Sequence, residues 1–294
     1  MSPSHPFISV TTDFGAAYTS ICVGVIYTIA PGANVLVLSD EVPKYATRQG
    51  AMLLRQALPY LPRGVHVGIV DPGVGTSRRP IALVTQRGDV LVGPDNGLLL
   101  PAAKQLGGLR RAYQLTNPAF RLPKVSATFH GRDIFAPAAG HLVRGVPVAD
   151  LGPQIDPESL TPLPLPPPHI GDGSLTLSVL YVDEFGSLVL SADHDDLHAA
   201  FGSLAYGTPL VASWAGVDGG STQVQLRYQE TFGSVAPGEK LLYGDSSGWL
   251  GIAVNQGSAA TALGLRDGAA LTLTLNGAPH PSDHVHRSTS GTVD

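Results

Sequence analysis

Several features that often reveal a protein's chemistry are missing from this chain of 294 residues. Cys22 is the only cysteine, which excludes an internal disulfide and a zinc site built from cysteines, and which fits a reducing compartment. There is no GxxxxGKS or GxxxxGKT phosphate-binding loop, and no HExxH motif. The common signatures of nucleotide-binding and zinc-dependent enzymes therefore do not apply.

Charge and long apolar runs are also scarce. Charged residues make up 14% of the chain, the formal net charge is -5, and no basic stripe is present, which argues against nucleic acid as a partner. No apolar run approaches the length that spans a membrane, and residues 1–10 lack the basic and apolar regions of a signal peptide. We expect a soluble, cytoplasmic protein that binds a small molecule and neither nucleic acid nor membrane.

The first half of the chain contains a regular alternation of strand and helix patterns. In order, these predict strands at residues 7–11, 34–39 and 65–70, helices at 16–30 and 47–58, a hairpin of strands 81–85 and 90–93, a helix ending at 106, a strand at 111–115 and a helix from about 131. This alternation predicts an α/β domain with a mixed, mainly parallel sheet and flanking helices.

A proline-rich stretch separates this half from the next, because its prolines allow neither a helix nor an interior strand. We expect an α/β domain at residues 1–155, a linker at 156–173, a second domain at 174–278 and a disordered tail at 279–294. The second domain contains several short apolar runs between turn residues, with one brief helical pattern at 259–263. Such spacing predicts a small, mostly β domain resembling a barrel or a sandwich.

Acidic residues follow two of the predicted strands. Asp13 follows the first, and Asp71 follows the third and begins a glycine-rich loop that closes near Arg78. Parallel strands end at one edge of a sheet, where open α/β sheets bind ligands, so the two acids are expected to share a pocket. His130 precedes a predicted helix, whose positive end would favour a neutral imidazole.

Each of these residues also has an ordinary structural interpretation. Asp13 and Asp71 are typical turn residues, and Arg78 fits a surface ion pair. His130 and Asp133 form the nearest approach to a metal-binding pair, but their spacing is more typical of a helix cap and a surface ion pair. The residues alone thus predict a pocket at the sheet edge lined by Asp13, Asp71, Arg78 and His130, with no metal and no cofactor.

A family resemblance extends this interpretation. Six collinear segments between residue 7 and about residue 275 resemble the S-adenosylmethionine hydroxide adenosyltransferases, which are adenosine-forming hydrolases related to fluorinase and chlorinase. These segments are TTDFG (11–15), VDPGVGTSRR (70–79), VGPDNGLL (92–99), TFHGRDIFAPAAGHL (128–142), VDEFGS (182–187) and IAVNQGSAATALGL (252–265). The resemblance implies an N-terminal α/β domain and a C-terminal β-barrel domain. It also implies a homotrimer whose substrate lies between the N-domain of one subunit and the C-domain of the next.

The resemblance also implies roles for individual residues. Asp71, Arg78 and His130 match the triad that distinguishes the hydrolases from the halogenases. Asp13 matches an acid that holds the ribose diol, and Tyr45 matches an aromatic residue beside the ligand. Further matched substrate-binding positions are Asp183, Phe185, Ser187, Ser246, Ser247 and Trp249. Two positions depart from the family pattern, because Ser187 and Asp245 each replace an asparagine.

The implied reaction is hydrolysis of S-adenosyl-L-methionine to adenosine and L-methionine, by in-line attack of water on C5′. Asp71 is expected to act as general base, Arg78 to stabilise hydroxide-like charge, and His130 to relay a proton or fix the water. One alternative is a protein that binds or senses S-adenosylmethionine or adenosine without turnover. Halide transfer is a second, which the intact triad disfavours, and a structural trimer with an unrelated hydrolase site is a third.

Overall fold

The computed structural model describes residues 7–216 and 219–276 of the chain. Two units are present, one ending at Pro164 and the other beginning at Leu165. The division falls inside the proline-rich stretch, where prolines remove backbone donors and so limit sheet formation. The tail at 279–294 lies outside the described residues.

A seven-stranded sheet forms the centre of the first unit. Its strands are β1 (Phe7–Thr12), β2 (Asn34–Ser39), β3 (Val65–Ile69), β4 (Pro80–Thr85), β5 (Val90–Pro94), β6 (Leu109–Gln114) and β7 (Gln154–Ile155). Their spatial order is β2-β1-β3-β5-β4-β6-β7. The pairs β2-β1, β1-β3 and β3-β5 are parallel, and the other pairs are antiparallel. The predicted mixed sheet is confirmed.

Helices cover both faces of this sheet. They are α1 (Gly15–Ile29), α2 (Thr47–Ala57), α3 (Leu100–Gln105) and α4 (Ala136–Val143), and a π-helical turn at Gly131–Phe135 leads into α4. Cys22 and Ile26 of α1 belong to the same buried core as Val67 of β3. On the other face, Leu54 of α2 lies against Gly68. Because β3 is covered on both faces, all of its residues are buried, which explains why apolar residues occur on both faces of the strand with His66 as its one polar member.

The second unit is a closed barrel. Its elements are β8 (His169–Gly171), β9 (Ser174–Val182), β10 (Leu188–Asp193), α5 (His194–Phe201), β11 (Pro209–Ala215), β12 (Ser221–Tyr228), β13 (Lys240–Gly244), β14 (Trp249–Val254), α6 (Ala259–Leu263) and β15 (Ala270–Leu275). The strands follow the order β10-β14-β13-β12-β11-β15-β9, and β9 pairs with β10 to complete the ring, while β8 adds to β9. This confirms the predicted β-barrel domain.

Three elements were not predicted from the sequence. The helix α5 begins with a capping box in which Asp193 and Asp196 each accept a backbone hydrogen bond. The short strands β7 and β8 lie at sheet edges, where neighbouring prolines are tolerated. Among the helices of the described residues, none is long and apolar enough to cross a membrane.

Candidate active site

Asp71 and Arg78 form a buried ion pair at the end of β3. The Arg78 Nε donates to both carboxylate oxygens of Asp71, at 2.9 and 3.0 Å, and its Nη2 donates to Oδ2. The side chains are only 6% and 8% exposed, respectively. The alternative of an ordinary surface pair therefore does not hold, because little solvent reaches either group.

Asp71 and His130 do not use all of the N–H groups of Arg78. A guanidinium has five N–H groups. The one on Nε and one on Nη2 bind Asp71, and the same Nη2 lies 2.9 Å from Nδ1 of His130. The Nη1 atom is buried and has no hydrogen-bond partner among the residues that the structure describes. A buried cationic donor without a partner is costly, so this atom is suited to receive an oxygen from a ligand.

The contact with Arg78 defines the tautomer of His130. A guanidinium can only donate, so Nδ1 must accept, and a neutral ring then carries its proton on Nε2. Burial lowers the pKa of His130, and the positive charge of Arg78 lowers it further. This direction agrees with the predicted neutral imidazole, and burial and Arg78 act in the same sense as the helix dipole that the sequence suggested.

The loop that carries Asp71 is fixed by its neighbours. Asn96 donates from its side chain to the carbonyl of Val70, at 2.9 Å, immediately before the acid. Gly75 has a φ of 79°, and a side chain there would collide with the carbonyl of Ala127. The acid is thus held between the segment that follows β5 and the segment that precedes His130.

Arg79 has a different task from its neighbour. It binds Asp95 through Nε at 2.8 Å, and its Nη1 donates to the Ser159 hydroxyl at 3.0 Å. Asp95 also accepts from the backbone of Thr161. This arginine therefore fastens the proline-rich stretch to the sheet edge, which leaves Arg78 as the arginine of the candidate site.

Asp13 and Tyr45 lie at the same edge of the sheet. Asp13 follows β1 and accepts from the backbone N–H of Tyr45, at 2.8 Å. Burial raises the pKa of Asp13, and the nearby negative charge of Asp71 contributes in the same direction, so the two acids are neighbours. Tyr45 is exposed and has a φ of 67°, which is rare for a residue with a side chain and is often found at functional positions.

A separate cavity of about 760 Å³ opens in the barrel unit. Its walls include Asp183, Phe185, Ser187 and Ser246, all of which were predicted to bind substrate. The lining residues that were not predicted are Glu230, Thr231, Phe232, Tyr243, Gly244, Asp245, Val254, Asn255, Gln256 and Gly257. Aromatic rings and carboxylates together suit a ligand that has a planar ring and a positive charge.

The two positions that depart from the family pattern both have internal partners. Asp183 accepts from the backbone of Ser187 at 2.7 Å, and the Ser187 hydroxyl bonds the phenol of Tyr243. Burial raises the pKa of this phenol to about 12. Asp245 accepts from the hydroxyl of Ser247 at 2.8 Å and from the backbone N–H of Trp249 at 2.8 Å. Ser247 and Trp249 thus belong to the turn that shapes one wall.

The family described as SAM hydroxide adenosyltransferase N-terminal domain matches residues 8–152, and its C-terminal domain matches residues 177–272. The chain belongs to the SAM hydroxide adenosyltransferase family. Every predicted site residue lies inside one of the two matched stretches.

Individual proteins similar to this chain are consistent with that family. A (R)-S-adenosyl-L-methionine hydrolase of Salinispora tropica is 47% identical over 93% of this chain and 99% of its own. A (R)-S-adenosyl-L-methionine hydrolase of Thermus thermophilus is 39% identical over 89% of this chain and 97% of its own. An uncharacterised conserved protein from Thermotoga maritima has a solved structure with a TM-score of 0.81, at 31% identity over 91% of this chain and 99% of its own. A fluorinase of an Actinoplanes species is 24% identical over 92% of this chain and 98% of its own.

Two residues of the first unit that support the site were not assigned from the sequence. Asn96 holds the backbone before Asp71, and its Pro-Asp-Asn-Gly setting after a strand was the available signal. Asp133 is fully buried, binds Arg132 and accepts from the backbone of Ser126 at 2.8 Å. The expectation of a surface ion pair at Asp133 is wrong, because this carboxylate anchors the segment that leads to His130.

A Ser-His-Asp arrangement elsewhere in the first unit is structural. Ser9 lies 2.8 Å from Nδ1 of His66, whose Nε2 lies 3.2 Å from Asp89. All three side chains are fully buried, so no substrate can reach them. Within the described ranges, no group of three or more histidine, cysteine, aspartate or glutamate residues is arranged to hold a metal ion.

Proposed function

We propose that this chain hydrolyses S-adenosyl-L-methionine to adenosine and L-methionine. The observation that carries the proposal is the buried chain of contacts from Asp71 through Arg78 to His130, with the Nη1 of Arg78 left to bind an oxygen. Family membership and the names of the close relatives support the substrate.

In the proposed step, water attacks C5′ of the ribose opposite to the sulfonium. The carbon–oxygen bond forms while the carbon–sulfur bond breaks, and the bonding electrons pass to sulfur, which becomes the neutral thioether of methionine. Asp71 accepts the water proton as general base. The Nη1 of Arg78 binds the developing hydroxide, and neutral His130 keeps the guanidinium in place through Nδ1.

Substrate recognition is divided between the two units in this proposal. Asp13 binds the ribose hydroxyls and Tyr45 lies beside the ligand. The barrel cavity, with Asp183, Phe185 and the neighbouring Ser187, Ser246, Ser247 and Trp249, receives the methionine and adenine portions. We propose that the site is completed in a cytoplasmic homotrimer, with the barrel of one subunit beside the triad of the next. Light scattering of the purified protein tests the trimer, and cell fractionation tests the location.

The names of the relatives add a stereochemical detail. Because "L" already fixes the amino acid centre, the "(R)" in (R)-S-adenosyl-L-methionine refers to the sulfonium sulfur. We propose that this chain also prefers the (R) epimer. Separate incubation with the (R) and (S) epimers should give the larger kcat/KM for (R), and equal values would refute the preference.

Product analysis in ¹⁸O water tests the reaction itself. The expected result is one ¹⁸O atom in the 5′-hydroxyl of adenosine and none in methionine. Absence of adenosine would overturn the proposal and would favour a binding protein, which calorimetry with S-adenosylmethionine would then detect. Halogenated nucleoside in parallel samples with chloride, bromide or iodide would instead indicate halide transfer.

A further inference from the structure

A π-helical turn lies between His130 and the regular part of α4. It spans Gly131–Phe135, and the backbone N–H of Ala136 binds the carbonyl of Gly131, five residues earlier. Such turns are rare and are often found at functional sites. The contacts that this turn makes are therefore relevant to the candidate site.

The geometry of the turn brings His130 and Phe135 to the same side. In an α-helix, residues five apart point about 140° away from each other. The i to i+5 hydrogen bond of a π-turn instead brings such residues into line along the helix axis. Here both members of the pair contact one group: Nδ1 of His130 lies 2.9 Å from Nη2 of Arg78, and the Phe135 ring centre lies 5.2 Å from Cζ of Arg78.

Phe135 is fully buried and has no polar atom, so its contact with Arg78 is made by the ring face. A guanidinium over an aromatic face is attracted by the π electrons, and the attraction is strongest when water is excluded. Asp71 and His130 bind the edges of the guanidinium, whereas Phe135 supports its plane. Loss of the ring would leave the guanidinium free to tilt, and its Nη1 would change direction.

We propose that Phe135 is a positioning residue, brought beneath Arg78 by the π-helical turn, that holds the guanidinium plane in the orientation needed for catalysis. This inference rests on the proposed function for its kinetic consequences. Its structural consequence, the fixed contact between Arg78 and His130, does not depend on the substrate.

Phe135→Leu removes the ring face and retains an apolar side chain. We expect kcat to fall about tenfold while KM changes less than about twofold, because the reacting groups lose alignment and substrate contacts remain. Phe135→Met, which also lacks a ring but is more flexible, should give the same result if Leu packs poorly. Phe7→Leu is the control. Phe7 lies on β1 and packs against His66 of β3, so this variant should leave kcat unchanged.

The imidazole of His130 provides two readouts. The ¹⁵N shift of Nδ1 reports whether this atom still accepts from Arg78, which a packing defect elsewhere would not change, and the ring pKa reports burial first and then the neighbouring charges. The charges that act on the ring are Arg78 and Arg121, which lower its pKa, and Asp71 and Asp133, which raise it. If the guanidinium tilts away in Phe135→Leu, the pKa of His130 should rise, and NMR titration of the ring measures this directly. The acidic limb of the kcat profile should move to higher pH in parallel.

The outcomes separate this inference from the proposed function. If wild-type protein makes no adenosine, the function fails, yet the NMR titration still tests the role of Phe135. Full kcat with an unchanged His130 titration in both Phe135 variants would overturn the inference. A fall in kcat that merely follows the melting temperature, without a shift in the titration, would overturn it too.

Discussion

Replacing Asp71 with asparagine should separate catalysis from binding. Asparagine has nearly the same shape as aspartate but cannot accept a proton from water. Its amide NH2 would also face the N–H groups of Arg78, where Asp71 now has two accepting oxygens. The variant should therefore lose the general base and part of the contact that orients the guanidinium.

The structure sets the expected size of both effects. Loss of a general base typically costs 10²–10⁴-fold, so we expect kcat to fall by about 10³-fold. The ion pair is more than nine-tenths buried on both sides. Removing one partner of such a pair lowers the free energy of unfolding by about 3–5 kcal/mol. Because the asparagine keeps one accepting oxygen, we expect a loss of about 3 kcal/mol, which corresponds to roughly 6–12 °C in melting temperature.

The assay combines turnover, binding and stability. Adenosine formation is followed by chromatography, adenosine binding by calorimetry, and unfolding by heating; binding should stay within about threefold. Asp95→Asn is the matched control, because Asp95 forms the adjacent buried pair with Arg79. It should lower stability and retain most of kcat. A loss in Asp71→Asn of less than about tenfold, or an equal loss in Asp95→Asn, would refute the assignment.

Three further predictions concern pH and reactivity. If neutral His130 is required, kcat should rise with pH through an apparent pKa below the ordinary value near 6.5. This acidic limb of the kcat profile should move to higher pH in Arg78→Ala, because the neighbouring positive charge is gone. A limb that stays in place would contradict the prediction. Burial alone would raise the pKa of Asp89, but hydrogen bonds from His66 and Arg87 hold it well below its usual range. The contribution of the Asp89 carboxylate to stability is thus present above about pH 4 and lost below it. The melting temperature of the wild-type protein should therefore fall more steeply on acidification than that of Asp89→Asn. Parallel curves of melting temperature against pH would refute this. Burial raises the pKa of Cys22 to about 12, so iodoacetamide at pH ~8 should label it only after unfolding, and rapid labelling of the native protein would contradict its burial.

The central part of the site could be predicted because its signals are local. An apolar run ending in Asp71 identified a buried strand, and the following glycines identified a turn at the sheet edge. Arg78 lies in the same loop, so its proximity needed no tertiary information. Asp13 could be placed beside Asp71 because parallel strands end at a common edge.

The role of His130 was harder to predict, because it depends on packing. The helix pattern placed it before a helix, but neither the π-helical turn nor the contact with Arg78 has a periodicity that the sequence displays. Its neutral state was predicted from the helix dipole alone, since burial and the contact with Arg78 cannot be judged from neighbouring residues in the chain. The residues alone placed His130 in the same pocket as the acid, and the family resemblance gave it a catalytic role.

The register between paired strands explains what was missed in the barrel. The ring of Tyr243 lies across Gly251 on the neighbouring strand, where a side chain would approach the ring to 2.7 Å. The register of two strands fixes this contact, and the sequence alone does not specify that register. The pairings of β9 with β15 and of β10 with β14 join strands far apart in the chain, so closure of the barrel could be predicted only as a class of fold.

Charge gives the proposed reaction a direction. The substrate is a sulfonium cation, and the barrel cavity is lined by Asp183, Glu230 and Asp245 with no lysine, arginine or histidine among its lining residues. In the proposed complex, these carboxylates attract the sulfonium before attack. Once the carbon–sulfur bond breaks, adenosine is neutral and methionine has no net charge, so the attraction weakens for both products. The same carboxylates thus favour binding of the substrate over retention of the products, and no conformational change is needed for that difference.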